Sequence, residues 1–176
     1  MEAVSVTDFP IRDHKVVPKN EYSPILLPVL NNHINFEPLK YKVIMDLMDC
    51  REYIMTLPMV EECQPFDEDI VVYKIGGKWF ATIIFSRGNY IAVKCNPDRA
   101  VLLRDEYPSI TPAWHYNKRY WNDLLVTALP ESVVKREIRH SYFTVIRKNV
   151  SPKALREEIL AIASKQGLED DAIIPK

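Results

Sequence analysis

The sequence predicts an α+β fold in which an antiparallel sheet packs against helices. Residues 69–75 are rich in β-branched side chains, and a second strand-like run covers residues 78–85. Between them stands Gly76-Gly77, a pair typical of a tight hairpin turn because both residues can adopt a positive φ. A third run over residues 90–95 follows another short turn. Strands joined by turns rather than by helical crossovers indicate an antiparallel sheet.

Helices flank these strands along the chain. Each predicted helix has apolar side chains near helical spacing, and the later ones begin at a capping residue or a proline suited to the first turn. An acidic, turn-rich segment at residues 59–69 separates the first helix from the sheet. Helices are expected over residues 40–56, 97–106 and 130–148, and from Ser151-Pro152 to a stop at Gly167.

One more strand is predicted over residues 118–126. On a strand, side chains alternate between the two faces of the sheet. Lys118 and Tyr120 would then share one face, and Arg119 and Trp121 the other. At least one of the aromatic residues is therefore expected in the core.

Proline divides the chain into an arm and a domain. Of the 13 prolines among 176 residues, five fall within the first 40, where they prevent a single regular element. The same segment is too apolar for a free linker. We expect a proline-rich arm at residues 1–38 that lies on the domain surface or on a partner subunit. An α+β domain is expected at residues 39–150, followed by a C-terminal helix and loose tail at 151–176.

Cysteine usage and the lack of long apolar runs predict a cytoplasmic protein. The three cysteines, Cys50, Cys63 and Cys95, form no C-x-x-C pair, which favours a reducing compartment over a disulfide framework. No secretory signal is recognisable at the N-terminus. The most apolar stretch is seven residues long, whereas a membrane helix needs about 20. No membrane partner is expected.

The net charge of −1 hides two opposed blocks. Residues 1–70 carry six basic and 13 acidic side chains, whereas residues 71–148 carry 13 basic and six acidic ones. Such asymmetry indicates either an anionic partner or the docking of one block on the other. The sequence leaves both interpretations open.

Catalytic motifs are absent from the sequence, and we expect a protein that is not an enzyme and needs no cofactor. It contains no G-x-S-x-G, P-loop or G-x-G-x-x-G pattern, and its four histidines lack metal-ligand spacing. A Cys95–His115 nucleophile pair is conceivable, although a thiol at a strand end is commonly buried and inert. The acidic stripe Asp46, Asp49 and Glu52 could bind a metal ion or simply face solvent.

Residues 114–121 combine four aromatic side chains with a histidine, a lysine and an arginine. Cations can pair with phosphates, and aromatic rings can stack on bases. Further basic residues lie on the predicted hairpins, where lysines could equally protect strand edges from aggregation. The candidate DNA-binding residues are Lys74, Lys78, Arg87, Lys94, His115, Tyr116, Asn117, Lys118 and Arg119.

Several ordered motifs resemble those of the MmcQ/YjbR family. They cover roughly residues 43–160 and include Leu57-Pro58, the Gly76-Gly77-Lys78 turn, Val93-Lys94-Cys95-Asn96-Pro97-Asp98-Arg99-Ala100, Tyr107-Pro108, Ile110-Thr111-Pro112-Ala113 running into residues 114–121, and Ser141-Tyr142. The resemblance implies a CyaY-like (frataxin-like) fold with a curved antiparallel sheet. It also implies DNA binding through a "double wing" of β-hairpins, and no catalytic residues.

The leading hypothesis is a non-enzymatic protein that contacts DNA through phosphates, with little sequence preference. A second hypothesis is a protein-interaction or self-association module. In such a module the acidic block docks on the basic block, or the N-terminal arm holds two copies of the chain together as a homodimer. Metal binding by the acidic first helix is a third.

Overall fold

The computed structural model describes residues 44–168. Within them, four α-helices and six strands form an α+β arrangement, which confirms the predicted fold class. The elements are α1 (Leu47–Met55), β1 (Val60–Cys63), β2 (Ile70–Ile75), β3 (Lys78–Ile84), β4 (Tyr90–Lys94), α2 (Pro97–Glu106), β5 (Ile110–Pro112), β6 (Trp121–Leu125), α3 (Glu131–Asn149) and α4 (Lys153–Lys165). The predicted arm at 1–38 and the tail after Leu168 lie outside the described residues.

The strands form one open antiparallel sheet in the order β1-β2-β3-β4-β6-β5. The β2–β3 and β3–β4 pairs are the predicted hairpins, and both glycines of the Gly76-Gly77 turn have positive φ, at 54° and 70°. The register aligns Ala81 with Val93 and Ile83 with Ile91. The Lys78 end of β3 therefore lies beside the Lys94 end of β4.

The first helix begins at Leu47, which is later than the predicted start at residue 40. Asp46 is its N-cap: its carboxylate accepts hydrogen bonds from the backbone N–H of Met48 and of Asp49, at 2.7 and 2.9 Å. Asp49 in turn accepts from the Asp46 N–H at 2.9 Å, which completes a capping box. These two carboxylates therefore stabilise the start of the helix. In the sequence they were candidates for metal ligands.

Two edge strands were missed by the sequence analysis. β1 occupies part of the segment predicted as an acidic turn, and its two glutamates, Glu61 and Glu62, are exposed. β5 is only three residues long and ends in Pro112. Proline is tolerated there because an edge strand leaves one row of N–H groups unpaired. Neither strand is long enough to show alternation in the sequence.

The last strand begins at Trp121, and the prediction that residues 118–120 belong to it is wrong. Residues 118–120 instead form a turn, in which the Tyr120 N–H donates to the carbonyl of Asn117 at 2.9 Å. The alternation expected for Lys118 and Arg119 therefore does not apply, and both side chains are exposed.

One face of the sheet is covered by helices. α3 packs across β3 and β4 and also contacts α1 and α4. Its apolar side chains, among them Ile138, Tyr142 and Val145, are fully buried. The hydroxyl of Ser141 donates to the Phe80 carbonyl at 2.5 Å and accepts from the Lys94 N–H at 2.8 Å. This buried residue therefore ties α3 to both strands of the second hairpin.

The opposite face, here called the outer face, is covered by a separate aromatic cluster. Ala92, Ala113 and Trp121 are buried in it, and Trp79 and Tyr116 pack against them. No helix among residues 44–168 belongs to this cluster. The segment between β5 and β6 supplies its cover, and that segment carries five of the nine candidate DNA-binding residues, those at positions 115–119.

We predict that Gly76→Ala destabilises the protein more than Gly77→Ala. Both positions have positive φ, which costs an L-residue about 1–2 kcal/mol. Only at Gly76 would a Cβ also lie 2.9 Å from the Val150 Cγ1, whereas at Gly77 nothing lies within 4 Å. Urea unfolding should show an additional loss of about 1–3 kcal/mol for Gly76→Ala. Equal losses would mean that the contact with Val150 is unimportant.

Candidate nucleic-acid interface

Residues 114–120, here called the aromatic-basic loop, connect β5 to β6 and contact the outer face of the sheet. Trp114 is 62% exposed and Tyr120 37% exposed. The His115 side chain is also exposed, with its ring centroid 3.8 Å from that of Trp114. Large aromatic side chains with this exposure are available to a partner.

Tyr116 anchors the aromatic-basic loop from within. Its ring stacks on Trp121 at a centroid distance of 4.3 Å and an interplanar angle of 21°. Its hydroxyl shares a 2.7 Å hydrogen bond with Thr82 of β3. Burial raises the pKa of the Tyr116 hydroxyl. This candidate residue thus holds the loop and is not on its exposed surface.

A buried carboxylate supplies a second anchor. Asp123 lies on β6 and is 1% exposed. Its Oδ2 accepts a hydrogen bond from Arg87 Nη1 at 2.7 Å and another from the Trp114 N–H at 3.2 Å. The Arg87 guanidinium also lies 5.1 Å from the Trp114 ring centroid and 5.5 Å from that of Tyr90. The charge of Arg87 is therefore compensated inside the protein.

Arg104 of α2 supplies the third anchor. Its guanidinium donates to Asn122 Oδ1 at 2.8 Å, to the Trp121 carbonyl at 3.2 Å and to the carbonyl of Lys118. One side chain thus joins α2, the start of β6 and the end of the aromatic-basic loop. Neither Arg104 nor Asp123 is among the residues that the sequence predicted for the interface. For Asp123 a signal existed, because it is the only acidic residue between positions 107 and 130.

The tip of the aromatic-basic loop presents its cations to solvent. Asn117 shapes this tip, since its Oδ1 accepts from the Arg119 N–H at 3.0 Å. Lys118 and Arg119 are exposed, and the Arg119 guanidinium lies 5.7 Å from the Tyr120 ring centroid. Within residues 44–168, neither cation forms an ion pair.

The hairpin lysines occupy different environments. Lys74 is directly opposite Glu61 of β1, so one carboxylate of the acidic block lies beside it. Lys78 is exposed at the end of the sheet. Lys94 is half-buried, its Nζ donates to Asn149 Oδ1 at 3.0 Å, and burial together with nearby Lys148 lowers its pKa. The described residues therefore bring only part of the predicted set to one exposed surface.

The catalytic and metal interpretations find no support in the side-chain arrangement. Burial raises the pKa of the Cys95 thiol to about 12, so it is protonated at neutral pH. Cys95 and His115 line two different cavities. No group of three or more His, Cys, Asp or Glu side chains within residues 44–168 could hold a metal ion.

We expect Arg87→Met to destabilise the protein by about 2–3 kcal/mol, because it leaves the Asp123 carboxylate buried without its cation. Arg51→Met is the control, since Arg51 makes a 2.7 Å ion pair with Glu62 between more exposed side chains. Urea unfolding at neutral pH should show a much smaller loss for Arg51→Met. Equal losses would show that burial of Asp123 carries no energetic weight.

Thiol reactivity should separate the cysteines. All three are free, but Cys50 and Cys95 are buried with their pKa raised to about 12, whereas Cys63 is partly exposed. At pH 8 the thiolate fraction of a buried thiol with that pKa is negligible. Iodoacetamide under native conditions should therefore alkylate Cys63 first, as read by peptide mass spectrometry. Rapid alkylation of Cys95 would contradict its burial.

No helix in residues 44–168 has the length and apolar character that a membrane crossing requires.

A family model described as YjbR matches residues 55–144, just over half of the chain. The uncharacterized protein YbdF of Escherichia coli O157:H7 is 43% identical over 68 residues, which are 38% of this chain and 56% of that protein. The chain thus spans about half the length of that relative. A crystal structure from Deinococcus radiodurans, with a domain of the DUF419 type, is 30% identical, covers 72% of this chain and 91% of its own, and has a TM-score of 0.60. The chain therefore belongs to the YjbR family.

Proposed function

We propose that the protein is a non-enzymatic, cytoplasmic DNA-binding protein that contacts phosphates and bases through the aromatic-basic loop. The observation that carries this proposal is an exposed loop tip, whose cations form no ion pair with any other residue of 44–168, on a segment that is held firmly against the sheet. Lys118, Arg119 and Trp114 are exposed, whereas the segment that bears them is held by Tyr116, Asp123 and Arg104. The free thiols of residues 50, 63 and 95 support a reducing compartment.

An anchored loop favours binding because little conformational freedom remains to be lost on association. Its cations supply attraction to phosphates that does not depend on base sequence. Its exposed rings, Trp114 and Tyr120, supply stacking surfaces that accept any base. Strand separation or a frayed end would expose bases to these rings. The preferred ligand is therefore DNA in which unpaired bases lie next to a duplex.

The candidate residues take different roles in this proposal. Lys78, Lys118 and Arg119 would contact phosphates directly, and His115 would extend the ring surface beside Trp114. Arg87, Tyr116 and Asn117 would act by positioning the loop, since each is engaged within it or beneath it. Lys74 would contribute less, because Glu61 is directly opposite.

We predict that Lys118→Ala/Arg119→Ala weakens DNA binding and reduces its salt dependence. Each lost phosphate contact lowers the slope of log K against log salt by about 0.7–0.9. The double variant should therefore lose about 1.5 from the slope and bind severalfold more weakly at low salt. Fluorescence anisotropy with a labelled, partly single-stranded oligonucleotide measures both quantities.

The matched control is Lys153→Ala/Lys165→Ala, which removes the same number of charges from α4. Both residues are exposed on the helical side of the protein. Their removal should leave the slope within experimental error of the parent. A slope that falls equally in both double variants would mean that binding follows overall charge and has no defined surface.

A second candidate function is protein interaction or self-association, favoured by acidic β1 beside the basic hairpin and by exposed Phe66. Phe66 is 66% exposed and packs edge-to-face on Trp79, with centroids 6.0 Å apart. Deleting residues 1–38 discriminates between the two candidates. Loss of a dimer by light scattering would support assembly through the arm. A gain in DNA affinity would show that the acidic block competes for the basic surface.

A further inference from the structure

A cavity of about 360 Å³ lies between the start of β6, the aromatic-basic loop and the C-terminal end of α3. Its walls are formed by Lys94, Asn117, Tyr120, Trp121, Lys148 and Asn149. Cavities of this size hold small molecules rather than single ions. The proposed phosphate contacts of Lys118 and Arg119 lie outside this lining, and Tyr120 is the one proposed DNA-stacking ring that also lines the cavity.

The cavity carries positive charge that its own walls do not neutralise. Lys94 and Lys148 both line it, and no acidic residue of the described range 44–168 is among its lining residues. Cys95 in its floor is neutral, because burial raises the pKa of the thiol to about 12. The proximity of Lys148 is one cause of the lowered pKa of Lys94. A bound anion would relieve the repulsion between the two ammonium groups.

Lys94 is held in place by the protein. Its Nζ donates to Asn149 Oδ1 at 3.0 Å, and its backbone N–H donates to the buried Ser141 hydroxyl at 2.8 Å. An ammonium group has three N–H donors. The bond to Asn149 uses one of them, so donors remain for a ligand in the cavity.

The C-terminal end of α3 opposes an anion, because a helix carries about half a negative charge at that end. Two observations offset this effect. Arg156 donates to the Arg147 carbonyl at 3.3 Å and so satisfies one of the terminal acceptors. Two full positive charges, Lys94 and Lys148, also exceed the partial charge of the helix end. The balance favours a ligand with a doubly charged anionic group.

We propose that this cavity binds a nucleotide, with Lys94 and Lys148 on its terminal phosphate and the Tyr120 ring against its base. A phosphate alone would leave most of the volume empty. The partly exposed ring of Tyr120 and the edge of Trp121 provide an apolar wall for a flat base. The amides of Asn117 and Asn149 offer hydrogen-bonding groups beside it. A free mononucleotide and the 5′-phosphate end of a DNA strand present the same chemistry.

Isothermal titration calorimetry of the full chain with deoxyadenosine monophosphate, inorganic phosphate and deoxyadenosine tests the assignment. The monophosphate should bind at least tenfold more tightly than either part. Lys148→Ala should weaken monophosphate binding about tenfold, since a hydrogen bond to a charged group is worth that much. Tyr120→Ala should weaken monophosphate binding while leaving inorganic phosphate unchanged.

Two controls keep the result specific. Lys165→Ala removes an exposed charge from α4 and should leave the affinity for the monophosphate unchanged. Lys118→Ala/Arg119→Ala should weaken DNA binding without changing that affinity, so the cavity and the DNA contact can fail separately. Lys148 is exposed, so its variant should keep the parent's thermal unfolding midpoint.

A pair of oligonucleotides, identical except for a 5′-phosphate or a 5′-hydroxyl, distinguishes the two sources of the ligand. Tighter binding of the phosphorylated strand, lost in Lys148→Ala, would assign the cavity to DNA ends. Equal binding of both strands, with the monophosphate still bound, would assign it to free nucleotide. No heat from the monophosphate at millimolar concentration, or equal affinity in Lys148→Ala, would overturn the proposal.

Discussion

The outer face of the sheet depends on the hydrogen bonds that the buried carboxylate of Asp123 accepts. This carboxylate receives Arg87 from the end of the β3–β4 hairpin and the Trp114 N–H from the aromatic-basic loop. Its second oxygen, Oδ1, has no hydrogen-bond partner within residues 44–168. Burying this charge costs free energy, and the hydrogen bonds from Arg87 and from the loop N–H offset that cost. If either moved away, the carboxylate would be left buried and uncompensated.

These hydrogen bonds also help to cover the second face of the sheet. A sheet with two apolar faces must bury both, and the described helices lie against one face only. The loop covers part of the other face with Tyr116, which stacks on Trp121 and bonds to Thr82. Since these aromatic groups serve the core, Trp114, His115 and Tyr120 are left at the surface. The same segment thereby provides both the cover and the proposed interface.

The acidic and basic blocks of the sequence meet where β1 pairs with β2. Acidic β1 pairs with β2, so Glu61 lies opposite Lys74, while Glu62 pairs with Arg51 of α1. These pairings place a carboxylate beside one hairpin cation and leave the loop tip unaffected. Two cationic surfaces of different character result. One is the exposed tip with Lys118 and Arg119, and the other is the half-buried Lys94 together with exposed Lys148, which line one cavity.

The sequence alone determined the fold class, the two hairpins, the helix over residues 97–106 and the family. These features depend on local signals: a Gly-Gly turn, an Asn-Pro helix start and the spacing of apolar residues. It also identified the segment 114–121 as the region of interest. The short edge strands β1 and β5 were not predicted, because a segment of three or four residues is too short to show a periodic pattern.

Only the tertiary structure decided what each residue of that segment does. Tyr116 and Lys118 are similar candidates in the sequence, yet one is held against Trp121 and the other is exposed. Arg87 is 36 positions from Asp123, and Lys94 is 55 from Asn149, so neither pairing has a local signature. Burial and compensation of charge are set by neighbours that are distant in sequence. They therefore become visible only once the sheet has brought those neighbours together.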